Sequence, residues 1–363
     1  MTNHGAIGGG PGYDHEAYQK AFSNFSGNYV KNRVRHNRTT ADVIVKSRDQ
    51  LLDAVEEVND YDSRVIYVED SAEIELKPED CPVVISRDWG HIVSGRDVKG
   101  GNAGGVIHVP AKVEAGLKFT GVSSRLSGIR VLGPAVEANP WEGYDHEDPT
   151  VGALLEANRT EVDNCEIRGF DNAAVASGRG GAVNWVHVHH NDLCDNPSDG
   201  LGYGMKVYHG HALIDRNYFD NNRHSIAGDG YEDCSYEAYC NIQGPQTTQH
   251  CFDMHAAAEN STWGGRQGGK SFVISNNIFM ATQAYTDGDH EEAVKIRGAP
   301  IEQSEISNNV FANVDEGGPG GRGKAIQIPS EYESFEDANI LVDGNVYGMY
   351  DPGKTVGIPT STV

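Results

Sequence analysis

The chain has 363 residues, with 53 Asp and Glu against 29 Lys and Arg, for a formal charge of −24. That balance excludes nucleic acid and anionic membrane as principal partners, and no apolar run approaches the ~20 residues of a membrane-spanning helix. Gly is abundant, at 44 residues, but follows no three-residue period, which excludes collagen and favours a turn-rich architecture.

In chain order, residues 1–44 are rich in Gly, Asn, Tyr and charge and lack apolar periodicity. They read as an extended arm, suited to assembly with a virion or surface partner. The opening MTNHGAIGGGPGYDHEAY has neither the basic flank nor the apolar stretch of a secretory signal. A short helix follows: Ser47 and Gln50 form a capping box, and Leu51, Leu52, Val55 and Val58 an apolar stripe. Val65–Val68, then Ile74 with Leu76, then Val83–Ile85 are short strands with turns between them. A capped helix before such strands would seal one end of a solenoid.

From about 106 to 347 one phrase recurs: VDNCEIRGF, VHHNDLCDN, IDRNYFDNN, EAYCNIQGP, ISNNIFMAT, ISNNVFANV and VDGNVYGMY. The matching asparagines are Asn164, Asn191, Asn217, Asn241, Asn277, Asn309 and Asn345, spaced 27, 26, 24, 36, 32 and 36 residues apart. A coil of two or three short strands takes roughly twenty to thirty residues, so longer intervals hold insertions. Stacked coils ~4.8 Å apart would let each Asn amide bond the next, with Asn chosen for its tolerance of left-handed bends. The predicted fold is all-β: a single-stranded parallel β-helix over 45–348 behind an N-terminal capping helix, with 349–363 a C-terminal tail. Six cysteines are too few and scattered for a disulfide framework, though Cys234 and Cys240 are near enough in sequence to bridge.

The Ile/Val-x-x-Asn-x-Phe phrase, preceded by DQLLDAVEEVNDYDSRVIYVED, resembles the right-handed parallel β-helix superfamily of pectate lyases (the pectin-lyase-like fold), which includes polysaccharide lyases, hydrolases and viral tailspikes. NWVHVHHND at 184–192 is similar to the pectate-lyase phrase W-I-D-H, with His187 where that phrase has Asp. RGAP at 297–300 is similar to R-x-P-x-x-R but lacks the second Arg, so the resemblance does not imply calcium-dependent pectate cleavage.

Chemistry-bearing side chains concentrate in GMKVYHG, NNRHSIAG, SYEAYCN, HCFDMHA, AVKIRGAP and KAIQIP. With Val207, Ile226, Met254, Ile296 and Ile328 inward, Lys206, Arg223 or Ser225, Asp253, His255, Lys295, Arg297 and Gln327 would line one outer face. The same alternation turns His224 inward. On an acidic polysaccharide, cations would neutralise uronate carboxylates while a base removes the adjacent carbon-bound proton. His255 or Lys295 is the expected base, Arg297 and Arg223 hold the carboxylate, and Tyr236 or Tyr208 donates to the leaving oxygen. A hydrolase would instead pair Asp253 with Glu237. Solvated surface ion pairs are the plainer alternative.

For metal, His250, Asp253 and His255 spell H-x-x-D-x-H, and Asp253 with His255, or His187 with His189, could supply two ligands each. Neither short spacing completes a ligand set. On a straight strand His250 would face away from Asp253. Surface carboxylates suit Ca²⁺, without any EF-hand-like loop. Aromatics Trp141, Tyr144 and Trp263 in loops could stack on sugars or anchor those loops. Three functions fit: a tailspike-like attachment protein for host glycans, as a possible homotrimer; an extracellular polysaccharide lyase or hydrolase; and a structural spacer. The acid surplus with only 12 Lys suits high-salt surroundings.

Overall fold

The computed structural model describes residues 37–60, 65–97, 101–135, 149–196, 198, 200–257, 267–280, 292–313, 316–319 and 324–348. The chain winds through three parallel sheets of eleven, nine and ten strands, here the first, second and third. Every pairing between named strands is parallel, and the inner strands of the first sheet bond the equivalent strand of the coil before and after. The architecture is a right-handed parallel β-helix.

Helix α1 (Arg48–Asp60) packs over the first strands, among them Val65–Val68 and Val83–Ile85. Its buried stripe is Leu51, Ala54, Val55 and Val58. Ser47 Oγ accepts from Gln50 N at 3.4 Å, but the Gln50 side chain bonds Lys46 N at 3.0 Å instead of closing the reciprocal box on Ser47.

The interior is a continuous apolar column that includes Val207, Ile226, Met254, Ile296 and Ile328, all inward as expected. Phe252 meets Phe279 edge-on at 4.7 Å, and Phe279, Phe311 and Tyr347 stack at 4.8 and 5.5 Å between ring centroids. Such contacts contribute about 0.5–1.5 kcal/mol each beyond area burial.

At the corner from first to second sheet, Asn191, Asn217, Asn241, Asn277, Asn309 and Asn345 form the ladder. Each Nδ2 donates to the next Oδ1 at 3.0–3.1 Å. Asn164 is not a rung. Cys165 occupies that place, its N–H donating to Asn191 Oδ1 at 2.9 Å. Left-handed backbone falls on the residue before each rung: Asn164 (φ 57°), His190 (56°), Arg216 (54°), Cys240 (55°), Asn276 (59°), Asn308 (54°) and Gly344 (64°). The rung asparagines therefore serve as bridging amides, and the bend itself is taken by their predecessors. A shorter ladder, Asn196 to Asn222 at 2.9 Å, stands at the next corner.

All six cysteines are free. Cys234 and Cys240 flank the extended strand Ser235–Tyr239, and at ~3.3 Å per residue they stand far beyond bridging distance. Among the described residues no helix is long and apolar enough to cross a membrane. Most of the arm, the tail beyond 348, Trp141, Tyr144 and Trp263 lie outside the described residues.

Candidate active site

The third sheet carries the densest chemistry. Its strands Tyr203–Val207, His224–Gly228, Phe252–Met254, Val294–Ile296 and Ile326–Ile328 lie side by side. Lys206, Ala227, Asp253, Lys295 and Gln327 form one transverse row in register. Because their strand neighbours fill the core, these side chains project from the outer face.

Asp253 is the hub, fully buried. Its Oδ2 lies 3.0 Å from His250 Nε2, 2.8 Å from His255 Nε2 and 2.7 Å from Arg297 Nη2, while Oδ1 accepts from Arg297 Nε at 3.2 Å. Burial by itself would raise the Asp253 carboxyl, but His255, Arg297 and His250 outweigh it and hold the group well below the usual carboxylate range. Burial pushes His250 down to about 4 and His224 well below the ordinary imidazole value, so both are neutral near pH 7.

His224 and His250 face outward with Asp253, contrary to simple alternation. Ser225 N and Ile226 N both bond Cys251 O, at 2.7 and 3.2 Å, and Cys251 N and Phe252 N both bond Ala293 O, at 3.2 and 2.9 Å. Two amides on one carbonyl mark a kink at the strand entrance, which keeps the register (Tyr203 opposite His224, Met205 opposite Ile226) yet reverses the side that the preceding residues face. The His224 and His250 rings consequently stack at 3.9 Å. The same kink turns Ser225 inward, onto Gln243 at 2.5 Å.

Beside this hub, Lys206 Nζ pairs with Asp229 Oδ1 at 2.5 Å and lies 4.8 and 5.5 Å from the Tyr203 and Tyr208 ring centroids. Burial would lower the Lys206 ammonium, but Tyr203 and Asp229 more than offset that and raise it. His255 Nδ1 is 3.8 Å from Asp229 Oδ1, which links the two groups. Lys295 pairs with Glu292 at 3.8 Å.

Asp253, His255, Lys295, Arg297, Lys206 and Tyr208 thus come together, with Gln327 half-buried at the end of the row. Three expected residues do not join them. Tyr236 belongs to the first sheet and is sealed in the core, its hydroxyl donating to the Asp253 carbonyl at 3.2 Å. Glu237 points out of that first sheet and meets His211 at 3.2 Å, so the Asp253–Glu237 hydrolase pair is separated by the width of the coil. Arg223 sits at the strand entrance and donates to Gly200 O at 3.0 Å. Tyr203 and Asp229 were missed by sequence reasoning. Only coil-to-coil register, with Tyr203 opposite His224, places Tyr203 here.

His224, His250 and Asp253 offer donor atoms within 4.8 Å of one another. The Arg297 guanidinium, however, lies 2.7 Å from Asp253 and 3.3 Å from His250 Nε2. It supplies the positive charge there that a metal would bring, so the cluster fits an arginine-neutralised carboxylate better than a cation site.

No family model matches the chain, and no curated protein matches it. Among solved structures it is similar to an alginate lyase from Paenibacillus sp. str. FPU-7, at 13% identity over 85% of this chain and 96% of that one, with a TM-score of 0.47. It is similar also to the ORF18 protein of Geobacillus virus E2 (10% identity, 86% of this chain, 58% of that one, TM-score 0.43). A third is the tailspike protein gp49 of Acinetobacter baumannii bacteriophage Fri1, a capsular polysaccharide depolymerase (8% identity, 87% and 62%, TM-score 0.30). At these identities the likeness concerns how the chain winds, and the chemistry of the third sheet rests on its own residues.

Proposed function

We propose that the outer face of the third sheet binds an acidic polysaccharide and cleaves it by β-elimination, with His255 as the base. The observation that carries this is the layering of charge. The Asp253 and Glu292 side chains are 0% exposed, whereas their partners Arg297 and Lys295 are 20% and 14% exposed. Anions lie beneath and cations above, so a ligand meets positive charge despite the chain's −24.

A uronate carboxylate placed over Arg297 and Lys295 becomes a better electron sink, which acidifies the adjacent carbon-bound proton. His255 takes that proton, and the fixed charge of Asp253 stabilises the imidazolium formed. The C–H electron pair becomes the C=C bond, the glycosidic C–O bond breaks, and the leaving oxygen is protonated. Tyr208 suits that last step, since burial raises its phenol and keeps it protonated near neutrality. Hydrolysis fits poorly: Asp253 is held ionised and cannot serve as general acid.

The same cationic layer could hold a glycan without turnover, as a tailspike-like attachment protein of a high-salt virus or cell would. That reading is separated by incubating the chain with uronate-containing polysaccharides across a range of salt. Elimination gives a near-ultraviolet-absorbing unsaturated sugar, and His255→Ala is expected to cut its formation by ~10²-fold or more. Reducing ends without absorbance would mean hydrolysis. Retention on the polysaccharide without product would mean attachment, and neither product nor retention would defeat both.

A further inference from the structure

We propose a second, separate site: a divalent transition-metal centre on the outer face of the first sheet, ligated by Glu161, His187 and His189. Glu161 lies in the strand Glu161–Asp163 and the histidines in the strand of the next coil, Val183–His189. Val162, Val186 and Val188 fill the core, so Glu161, His187 and His189 project to the other side. Glu161 is in register with His187, and Asp163 with His189. One donor atom from each of the three lies within 4.8 Å of the others, and all three residues are buried.

The surroundings are those of a built site. His189 Nε2 is 2.6 Å from Glu161 Oε1, and its Nδ1 is 2.7 Å from His190 Nδ1, a partner able to fix the ring. His187 Nε2 meets Asp215 Oδ1 at 2.6 Å, the carboxylate–histidine contact that orients metal-bound imidazoles. Arg125 bonds Asp163 through Nε at 2.6 Å and Nη2 at 2.8 Å, and Arg216 pairs with Asp215 at 2.5 Å. Arg125 is shared, its Nε also lying 3.4 Å from Glu161 Oε2, which leaves Glu161 Oε1 turned to His189.

The His187 and His189 rings stack at 4.0 Å. Two imidazole nitrogens and one carboxylate oxygen suit Zn²⁺, Co²⁺ or their neighbours and not Ca²⁺ or Mg²⁺, which take oxygen sets. With ligands on adjacent coils, the ion would clasp one winding to the next. Three protein ligands also leave room for a fourth, exogenous one.

The test uses the full chain, stripped with chelator and then given Zn²⁺ or Co²⁺ alone. One ion per chain should survive gel filtration, Co²⁺ should give visible ligand-field bands, and Zn²⁺ should raise the melting temperature. Glu161→Gln and His189→Asn should each abolish retention. Asp215→Asn, which alters the partner of His187 and of Arg216 but no ligand, should weaken it by ~10–100-fold and supplies the reading if a ligand variant fails to fold. His250→Asn should bind as the parent does. Failure of the parent chain to retain Zn²⁺, full retention by the Glu161, His189 or Asp215 variants, or loss in His250→Asn would each overturn the proposal.

Discussion

A carboxylate sealed from water persists as an anion only if its charge is met on the spot, and Asp253 has Arg297 and two imidazoles within 3.0 Å to do so. The neighbouring histidines bear the opposite burden. His250 titrates at about 4 in the folded chain, because burial penalises its charge, against about 6.5 when unfolded. Between those values the unfolded chain binds a proton that the folded chain does not. The stability His250 contributes is therefore complete above about pH 6.5 and drains away as pH falls towards 4, by up to ~3 kcal/mol. His224 acts in the same direction. Thermal melts from about pH 7 to about pH 4.5 should show this loss, and His250→Asn should flatten the slope. Parallel curves for parent and variant would show that this histidine is not the source.

Each amide in the Asn ladder serves two coils. Asn241 Oδ1 accepts from Asn217 N and Nδ2, while its own Nδ2 donates to Ile214 O and Asn277 Oδ1. Asn241→Ala strands several buried groups and should cost ~3 kcal/mol in urea unfolding. Asn345, the last rung and only half-buried, accepts from Asn309 and donates to Ile306 O. Asn345→Ala should cost ~1 kcal/mol. Equal losses would mean that the ladder does not act through its buried connections. The recurring phrase made this ladder legible, because one Asn per winding is a strong periodic mark. The first rung was misread by one residue because Cys165 interrupts the pattern beside a bend-forming Asn164. Asp253, His255, Lys295 and Arg297 were legible for a similar reason: period-two alternation holds along Phe252–Met254 and Val294–Ile296. His224 and His250 were not, since the kink at the strand entrance reverses sides without any signature in that alternation. Glu161 was invisible as a partner for His187 and His189, because only stacking joins residues so far apart in the chain.

For the molecule as a whole, a charge of −24 works against compaction, and this repulsion is screened more strongly as salt shortens its reach from ~10 Å at 0.1 M to ~3 Å at 1 M. The melting temperature should climb with added KCl and level off near ~1 M. A flat or falling response would remove the salt-adapted reading. The corners of the coil differ in a way that bears on what the fold can become. Among the described residues, every passage from first to second sheet from Arg125–Ser127 onward takes two residues, and from Asn164 and Cys165 onward that corner is locked by the amide column or its Cys165 start. The long spans run instead from Leu132 to Val151, Met254 to Ser271 and Phe279 to Val294, and each joins the third sheet at one margin or the other. Differences in length are thereby confined to connections that end on the sheet carrying Asp253, while the first-to-second corner keeps its two residues. If that face holds a glycan as proposed, rewriting those spans alone would alter its neighbourhood with no rung of the scaffold disturbed.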